Sequence, residues 1–383
     1  MAILGKKLMV LSLADHAFDT DGNPVAYEPY VREINLWCEL FEEVEIYTNI
    51  LDFDFKKHKY ASFKHSNVKL INLYSKPIDG SFVSKFIFVC LLPFVSIQLL
   101  FAIRKYDLVH IRNSALLSAI LGIYVRIFSK PSITKWAGSY MPYEGEPLVA
   151  KIDRKVVDIY NLKHKVLVYD NIQKKHFVKF IPALMSDDEI CQAEKLAESK
   201  QSIANRLEIV AIGRLQYTKN FELIPPALAL LKKKNPKLNW HFHLIGDGHL
   251  RKEIENLIVQ NKIEDYVTMY GAKPFKEAQP ILAQSHLLIM PGAKEGWPKP
   301  VAEAWAHNVY PLAANRGNLP DIVDSDKKGL LFEPTAEDLA LKLSEAYEIL
   351  SAKENSIDLT RFAKEMSLEN FKCKLADAIE TVL

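Results

Sequence analysis

Short apolar runs alternate with longer helical stretches along the chain, and this alternation limits the possible folds more than any other feature. In the first half the runs are KLMVLSL, VEIYTNI, VKLINLY, DLVHIR, SITKWAG and KVLVYDN. The pattern restarts at residue 207 with LEIVAIG and continues with NWHFHLIG, VTMYG, HLLIMPG, VYPLAA and GLLFEP. Buried strands separated by helices predict parallel pairing through βαβ units. We therefore expect an α/β protein with two separate units and a ligand site in the crevice between them.

The length of the chain agrees with two domains. Its 383 residues exceed the size at which a single hydrophobic core usually stops growing. Residues 1–185 are predicted to form the first domain and residues 207–364 the second. The charged, glycine-free stretch 186–206 is predicted to be a helix or linker, and residues 365–383 are predicted to form a final helix.

Charge is divided unevenly between the two halves. Residues 1–185 carry 24 Lys+Arg against 18 Asp+Glu, which gives +6, and residues 186–383 carry 25 against 29, which gives −4. A basic first half favours an anionic surface such as a membrane, although a solvated basic face would give the same count. The four cysteines lie far apart without a CxxC pair, so no zinc site or disulfide framework is expected and a cytoplasmic location is predicted.

Two apolar stretches bear on membrane association. KKLMVLSLADHAF has the lysines and the apolar run of a signal peptide, but the run is short and lacks an A-x-A site, so it predicts a buried strand. Residues 86–103 are nearly uncharged and just reach the length of a spanning helix. They fit a spanning helix, a helix lying on a membrane or an ordinary buried helix.

Several familiar motifs are missing or incomplete. There is no GxxxxGK[ST], HExxH or GxSxG sequence, and GDGHLR carries only two glycines of a dinucleotide fingerprint. A nicotinamide or flavin enzyme is therefore not expected. Three D-x-D triplets and the pair His241 and His243 could suggest metal ligands, but turns and packing explain them better, so no metal is expected. The triplets are Asp19/Asp21, Asp52/Asp54 and Asp324/Asp326.

The stretch KEGWPKPVAEAWAHN places two glutamates on either side of a helix start. Pro298 and Pro300 fit only the first turn of a helix, which predicts that the helix begins near Lys299. Asn308 is suited to the left-handed backbone conformation at the position just after this helix ends. A loop carboxylate, a helix N-terminus and a second carboxylate inside the helix suit the phosphates and hydroxyls of a nucleotide sugar. The carboxylates are those of Glu295 and Glu303, and Gly296 allows close approach of the backbone.

A second constellation follows the strand LEIVAIG. The strand ends at Gly213, and the next loop holds Arg214 and Lys219. Two cations at the carboxyl end of a strand suit a diphosphate whose negative charge increases as it leaves.

These motifs together resemble the family 4 retaining glycosyltransferases. The resemblance rests on GRLQYTK, LIGDGHLRKEI, VTMYGA, MPGAKEGWPKPVAEAWAHNVYPLAA and RGNLPDIVDSDKKGLLFEP, within residues 207–334. It implies the GT-B fold, in which two Rossmann-like domains hold parallel sheets that face each other across a crevice. It also implies that the first domain binds the acceptor, the second binds the nucleotide sugar, and residues 365–383 pack back on the first.

The resemblance also implies roles for individual residues. Arg214, Lys219 and Glu295 would be catalytic, with the two cations on the donor diphosphate. Glu303 would bind the ribose hydroxyls. The remaining donor-binding residues would be Gly213, Gly296, Trp297, Pro298 and Lys299.

The first domain departs from the family pattern. The loop after the first strand has only Gly22 where many members have two glycines, and Ala137-Gly138 replaces a common His-Gly pair. Trp136 and Tyr140 could line an acceptor site or be structural aromatics. The acceptor-side candidates are Asp15, His16, Asn23, Trp136, Gly138 and Tyr140.

The implied activity is transfer of a sugar from a UDP- or GDP-linked donor to a hydroxyl of a glycan or lipid-linked acceptor, with retention of configuration. No cofactor and no nucleic-acid partner are expected. Association with the inner face of the membrane is expected. Two alternatives stay open. One is a nucleotide-sugar epimerase on the same fold, and the other is an inactive donor-binding subunit of a glycosylation complex.

Overall fold

The chain folds into two compact units in a computed structural model. Residues 1–183 together with 371–383 form the first unit, and residues 184–370 form the second. The structure describes residues 5–51, 60–73, 82–113, 115–136, 140–142, 146–180, 185–292, 298–352 and 357–383.

The first unit is built on a seven-stranded parallel sheet with the order β10-β9-β8-β7-β1-β4-β6. A small antiparallel sheet has the order β2-β3-β5. The strands are β1 Lys7–Leu11, β2 His16–Phe18, β3 Pro24–Tyr27, β4 Glu43–Thr48, β5 Tyr60–Ser62, β6 Val68–Asn72, β7 Leu108–Asn113, β8 Ser132–Trp136, β9 His164–Val168 and β10 Phe177–Lys179. The helices are α1 Glu28–Cys38, α2 Phe82–Ala102, α3 Leu116–Ile127 and α4 Leu148–Asp158.

The second unit has a six-stranded parallel sheet with the order β13-β12-β11-β14-β15-β16. Its strands are β11 Leu207–Ile212, β12 Trp240–Ile245, β13 Val267–Gly271, β14 Leu287–Met290, β15 Tyr310–Ala314 and β16 Leu330–Phe332. The helices are α5 Asp187–Ala197, α6 Ile224–Lys234, α7 Arg251–Gln260, α8 Phe275–Gln284, α9 Lys299–Ala306, α10 Leu319–Ile322, α11 Ala336–Ala352 and α12 Thr360–Lys364. Helix α13, Leu368–Glu380, follows, and its residues from Phe371 onward belong to the first unit.

The twelve apolar runs predicted as strands are all strands of the two parallel sheets, so the α/β prediction is confirmed. The predictions missed β10 and the small antiparallel sheet. These strands have only three or four residues each, which is too short for an apolar period to show.

The stretch predicted as a helix or linker, residues 186–206, contains α5 and belongs to the second unit. Ser186 caps this helix, since its hydroxyl accepts from the Glu189 N–H at 3.1 Å and the Glu189 carboxylate accepts from the Ser186 N–H at 2.8 Å. Ile190 and Ala193 on the inner face are buried. This stretch therefore adds to the core of the second unit.

Three histidines of the first unit are fully buried on or beside its sheets. His16 Nδ1 lies 2.9 Å from the Thr48 hydroxyl, His110 Nδ1 lies 2.9 Å from the Ile133 carbonyl, and His164 Nδ1 lies 2.9 Å from the Ser132 hydroxyl. Burial lowers the pKa of His16 and of His164 to about 4, and that of His110 to about 3. All three rings are therefore neutral in the folded unit near pH 7.

From these lowered pKa values we predict that the first unit loses stability in mild acid. Each histidine has a pKa in the folded unit below the usual value near 6.5. The stability that the three neutral rings contribute is therefore fully present above pH 6.5 and is lost as pH falls toward 4. Three protons taken up on unfolding give a slope of up to about 4 kcal/mol per pH unit. Urea unfolding between pH 7.5 and 4.5 measures it. In the His110→Asn variant, the new amide can replace Nδ1 in its hydrogen bond. The slope of the free energy of unfolding against pH should then fall by the contribution of about one proton. An unchanged slope would contradict this account.

Candidate active site

A cavity of about 360 Å³ opens in the second unit where β11 and β14 end. These two strands are neighbours in the sheet, and the chain continues from β11 to one side and from β14 to the other. In open α/β sheets this switch point is where ligands usually bind. The lining residues are Ile212, Gly213, Arg214, Lys219, Phe221, Met290, Pro291, Gly292, Lys299, Pro300 and Glu303.

The cavity brings together five of the residues predicted to bind or act on the donor: Gly213, Arg214, Lys219, Lys299 and Glu303. Pro298 is buried just before α9 and is not among the lining residues. Three further predicted residues, Glu295, Gly296 and Trp297, lie outside the residues that the structure describes.

The prediction for the helix after the proline pair is confirmed. Helix α9 begins at Lys299 with Pro300 in its first turn, and Asn308 just beyond its end has φ of +51°. Glu303 is half-buried on this helix and is one of the residues that line the cavity. The N-terminus of α9, which carries the positive end of the helix dipole, lies beside the same cavity.

The other end of α9 is held by a lysine that the sequence patterns did not single out. Lys200 Nζ donates to the carbonyl oxygens of His307 at 3.1 Å and of Asn308 at 2.8 Å. Burial lowers the pKa of Lys200 to about 7, and its protonated form opposes the negative end of the helix dipole. Trp305 Nε1 also donates to the Lys328 carbonyl at 2.8 Å, so the helix that carries Glu303 is fixed along its length.

The loop that carries Arg214 is fixed by the backbone of the neighbouring loop. The N–H of Gly213 donates to the Ile245 carbonyl at 3.0 Å, and the N–H of Leu215 donates to the Asp247 carbonyl at 3.0 Å. A Cβ on Gly246 would lie 1.8 Å from the Gly213 oxygen. The glycines of GDGHLR, of which Gly246 is the first, therefore allow two loop backbones to touch.

A short turn brings Lys219 back to the cavity. The Lys219 N–H donates to the Gln216 carbonyl at 2.8 Å, and Asn220 follows with φ of +50°. This left-handed residue redirects the chain so that Phe221 is buried beneath Gly213, where an added Cβ would lie 2.9 Å from the Phe221 ring. Phe221 thus supports the cavity, and sequence reasoning missed it because a buried aromatic after a basic loop has no motif of its own.

Positive charge dominates the described lining of the cavity. It contains Arg214, Lys219 and Lys299 against one carboxylate, that of Glu303. Cationic side chains with a helix N-terminus favour a multiply charged anion such as a diphosphate. The carboxylate can accept hydrogen bonds from hydroxyl groups of the same ligand.

Three of the six acceptor-side candidates are buried in the first unit. Trp136 and Tyr140 are buried in the hydrophobic core with ring centroids 5.0 Å apart, and the Tyr140 hydroxyl donates to Asp158 at 2.7 Å. His16 is fully buried and stacks on Phe63. All three side chains pack against neighbouring groups, and the Tyr140 hydroxyl and the His16 Nδ1 also have hydrogen-bond partners inside the first unit.

The remaining acceptor-side candidates differ from these three. Asp15 and Asn23 are exposed, and the Asn23 N–H donates to Asp19 at 2.8 Å within the turn between β2 and β3. Gly138 lies outside the residues that the structure describes.

Four of the residues considered as metal ligands have other partners. Asp19 accepts from two backbone N–H groups in its turn, and Asp324 accepts from Lys328 at 3.0 Å. His241 and His243 contact Thr268 and Tyr270 on the next strand. Within the described part of the chain no group of three or more His, Cys, Asp or Glu side chains could hold a metal ion. The pair Asp52/Asp54 lies outside it.

Comparison with known proteins agrees with this geometry. Residues 192–361 match the family of glycosyl transferases group 1, and this range lies inside the second unit. The second unit is a group 1 glycosyl transferase domain. The stretch that carried the resemblance, residues 207–334, falls within the matched range, so that recognition is confirmed.

One curated relative of the group 1 domain is a putative colanic acid biosynthesis glycosyltransferase, WcaL of Escherichia coli (strain K12). It is 28% identical over 174 residues, which cover 40% of this chain and 42% of WcaL. The chain spans about half the length of the curated relatives it matches first.

Solved structures extend the likeness beyond the group 1 domain. The lipopolysaccharide outer core galactosyltransferase WaaB has a TM-score of 0.69 at 13% identity and covers 98% of this chain and 100% of its own. Anabaena Alr3699/HepE, solved in complex with UDP, has a TM-score of 0.65 at 14% identity with the same coverage. Because nearly the whole chain is covered, the predicted GT-B fold is confirmed.

Because the two loop backbones touch, we predict that substitution of Gly246 lowers the stability of the protein to an unusual degree. Gly246→Ala should lower the melting temperature strongly, since the methyl group can fit only if the Gly213 backbone moves, which costs roughly 1–3 kcal/mol or more. Gly22→Ala is the matched control, because Gly22 also has positive φ but has open space around it, so only the backbone strain of about 1–2 kcal/mol applies. Equal losses in thermal melts would contradict the packing argument.

Proposed function

We propose that the chain is a retaining glycosyltransferase that moves a sugar from a nucleoside diphosphate to a hydroxyl of a glycan or lipid-linked acceptor. The observation that carries the proposal is the cavity at the β11–β14 switch point, lined by three cationic side chains and Glu303. The group 1 family of the domain supports it.

The cations divide naturally around a diphosphate. Arg214 and Lys219 approach from the loop after β11, and Lys299 approaches with the N-terminus of α9 from the loop after β14. A diphosphate between these loops would contact positive charge on both sides. Glu303, one turn inside α9, would then accept hydrogen bonds from the ribose hydroxyls of the donor.

The same arrangement favours the reaction over simple binding. When the bond between the anomeric carbon and the diphosphate oxygen breaks, negative charge increases on the diphosphate. The acceptor oxygen forms the new bond to the anomeric carbon, and its proton passes to the departing diphosphate oxygen. Arg214 and Lys219 stabilise the departing diphosphate most when its charge is greatest, so they lower the barrier. Because these side chains supply the positive charge, the proposal requires no cofactor.

The relatives indicate the class of donor and acceptor. HepE was solved in complex with UDP, and WcaL is named for the biosynthesis of colanic acid. We therefore propose a UDP-linked donor, with GDP as the next choice, and an acceptor in surface polysaccharide assembly at the cytoplasmic face of the membrane.

Because the acceptor-side candidates Trp136 and Tyr140 are buried, an inactive donor-binding subunit stays an alternative. Incubation of the purified chain with donor and a membrane-lipid extract separates these functions. Transfer of labelled sugar supports the proposal, and the anomeric coupling in the NMR spectrum of the product shows whether configuration is retained. Binding without transfer indicates a subunit, and a changed sugar with donor alone indicates an epimerase.

Nucleotide binding should stabilise the protein through Glu303. UDP at about 100 times its dissociation constant should add about 2.7 kcal/mol and raise the melting temperature by several degrees. UDP, GDP, ADP and dTDP are compared by thermal melting. Glu303→Gln should remove most of the shift, whereas the control Glu253→Gln, on the exposed side of α7, should keep it. No shift with any nucleotide, or equal shifts in both variants, would contradict the assignment.

Lys219 should matter for turnover far more than for folding. Lys219→Ala should lower kcat roughly 10²- to 10³-fold, because one stabilising contact to the leaving diphosphate is lost. Lys252→Ala removes the same charge from an exposed site on α7 and should leave kcat unchanged. Initial rates of UDP release are measured beside the melting temperature of each variant. Parallel losses of rate and stability in Lys219→Ala would indicate a structural role instead.

A further inference from the structure

Helix α2 is apolar on both of its sides. Val95, Leu99 and Ala102 are buried against the main sheet of the first unit, in a cluster that includes Met9 and Ile111. The opposite side is also apolar and more than half exposed, with Phe94 reaching 72%. A helix on a water-facing surface normally carries polar residues on this side. The exposed apolar residues of α2 are Val83, Phe86, Val89, Phe94, Ile97 and Phe101.

The apolar surface continues onto the neighbouring helix α3. Ser96 on α2 and Tyr124 on α3 share a hydrogen bond between their hydroxyl groups. The Arg104 guanidinium lies 5.8 Å from the Phe101 ring centroid and 5.7 Å from that of Phe128, so it joins the two helices. The α2–α3 apolar face is defined by the six exposed residues of α2 together with Ile123, Ile127 and Phe128.

The α2–α3 apolar face gathers many large exposed apolar side chains on two neighbouring helices. It contains nine large apolar side chains, four of them phenylalanines, and most are more than half exposed. The largest apolar patch on a typical monomer covers roughly 300–600 Å², and larger patches usually mark an interaction surface.

The charges around the face identify its partner as anionic. Neither α2 nor α3 contains an acidic residue. Residues 82–130 carry six Lys or Arg and a single acidic residue, Asp107, and of the six cations Arg112 is paired with the buried Glu33. Arg104 and Lys105 are exposed at the end of α2, and Arg126 and Lys130 are partly exposed at the end of α3. Two copies of this face would bring like charges together, which disfavours self-association.

Burial of the inner side of α2 determines how it can meet a bilayer. One helix in the described part of the chain, residues 86–105, is long and apolar enough to span a membrane. Spanning would remove Val95 and Leu99 from the core of the first unit, where both are almost fully buried. A helix that stays packed can instead lie in the membrane plane with only its outer side among the acyl chains.

We infer that the α2–α3 apolar face inserts into an anionic phospholipid bilayer, with α2 parallel to the membrane surface and Arg104 and Lys105 at the headgroups. Basic side chains beside an apolar face provide the electrostatic and hydrophobic contributions that interfacial helices combine. The inference concerns the first unit alone and does not depend on the donor cavity of the second.

Flotation of the full-length chain with vesicles tests the inference. Vesicles of phosphatidylcholine and phosphatidylglycerol at a ratio of about 7:3 should carry the protein, and pure phosphatidylcholine vesicles should carry much less. The triple variant Phe86→Ser, Phe94→Ser, Phe101→Ser should bind at least about tenfold less, since three large apolar contacts are lost. Arg104→Gln with Lys105→Gln should weaken binding to the anionic vesicles selectively.

A matched control separates this face from general surface hydrophobicity. The triple variant Leu196→Ser, Val259→Ser, Leu341→Ser removes three exposed apolar side chains of the second unit and should float like the wild type. Circular dichroism and the UDP melting shift should be unchanged in the Phe86/Phe94/Phe101 variant, which shows that it folds. In Phe94→Trp, anionic vesicles should shift tryptophan emission to the blue, and brominated acyl chains should quench it.

Two results would overturn the inference. One is wild-type protein that stays at the bottom of the gradient with anionic vesicles. The other is flotation that the Phe86/Phe94/Phe101 variant retains in full. If sedimentation without lipid shows a dimer that this variant abolishes, and flotation fails, the occupant of the face is a second copy of the chain. None of these readouts uses sugar transfer, so the proposed enzymatic function can fail while membrane binding stands.

Discussion

The cavity at the β11–β14 switch point depends on a backbone contact between the loops that follow β11 and β12. The Gly213 carbonyl occupies the space that a side chain at position 246 would need, and Leu215 is hydrogen-bonded to the same neighbouring loop. This contact sets where Arg214 lies relative to α9. Phe221 is buried beneath the same glycine, so the rest of the basic loop follows from it. Preorganised charge of this kind does not have to be rearranged during a reaction.

Much of the second unit could be predicted because its local chemistry leaves few alternatives. Proline excludes the helix interior, so Pro298 and Pro300 placed the start of α9 at the residue where the structure has it. Asn308 took the left-handed conformation for the reason that few other residues tolerate it. The capping of α9 by Lys200 could not be predicted, because the contact joins residues about a hundred positions apart without a local pattern.

The acceptor-side residues of the first unit show the limit of reasoning from motif position. A position at the end of a strand locates a residue along the chain. It does not determine which face of the sheet the side chain occupies, because side chains alternate between the two faces. Trp136 and Tyr140 turn toward the core, where the Arg154 guanidinium lies 5.6 Å and 5.5 Å from their ring centroids. Arg154 is itself paired with the Glu146 carboxylate. These aromatics therefore complete a charged and aromatic network.

Net charge alone is also a weak guide to what the first unit contacts. Part of the excess of +6 in residues 1–185 is unavailable to any partner, because Arg112 and Lys135 are directed at the buried Glu33. Burial by itself would raise the pKa of Glu33, but Arg112, 2.7 Å from the carboxylate, and Lys135 outweigh it and lower that pKa to about 2. The charge that matters is local. Around α2 and α3 the exposed cations border the apolar face and the helices carry no acidic residue, so the inferred attraction to anionic lipid would be concentrated where the apolar contacts lie.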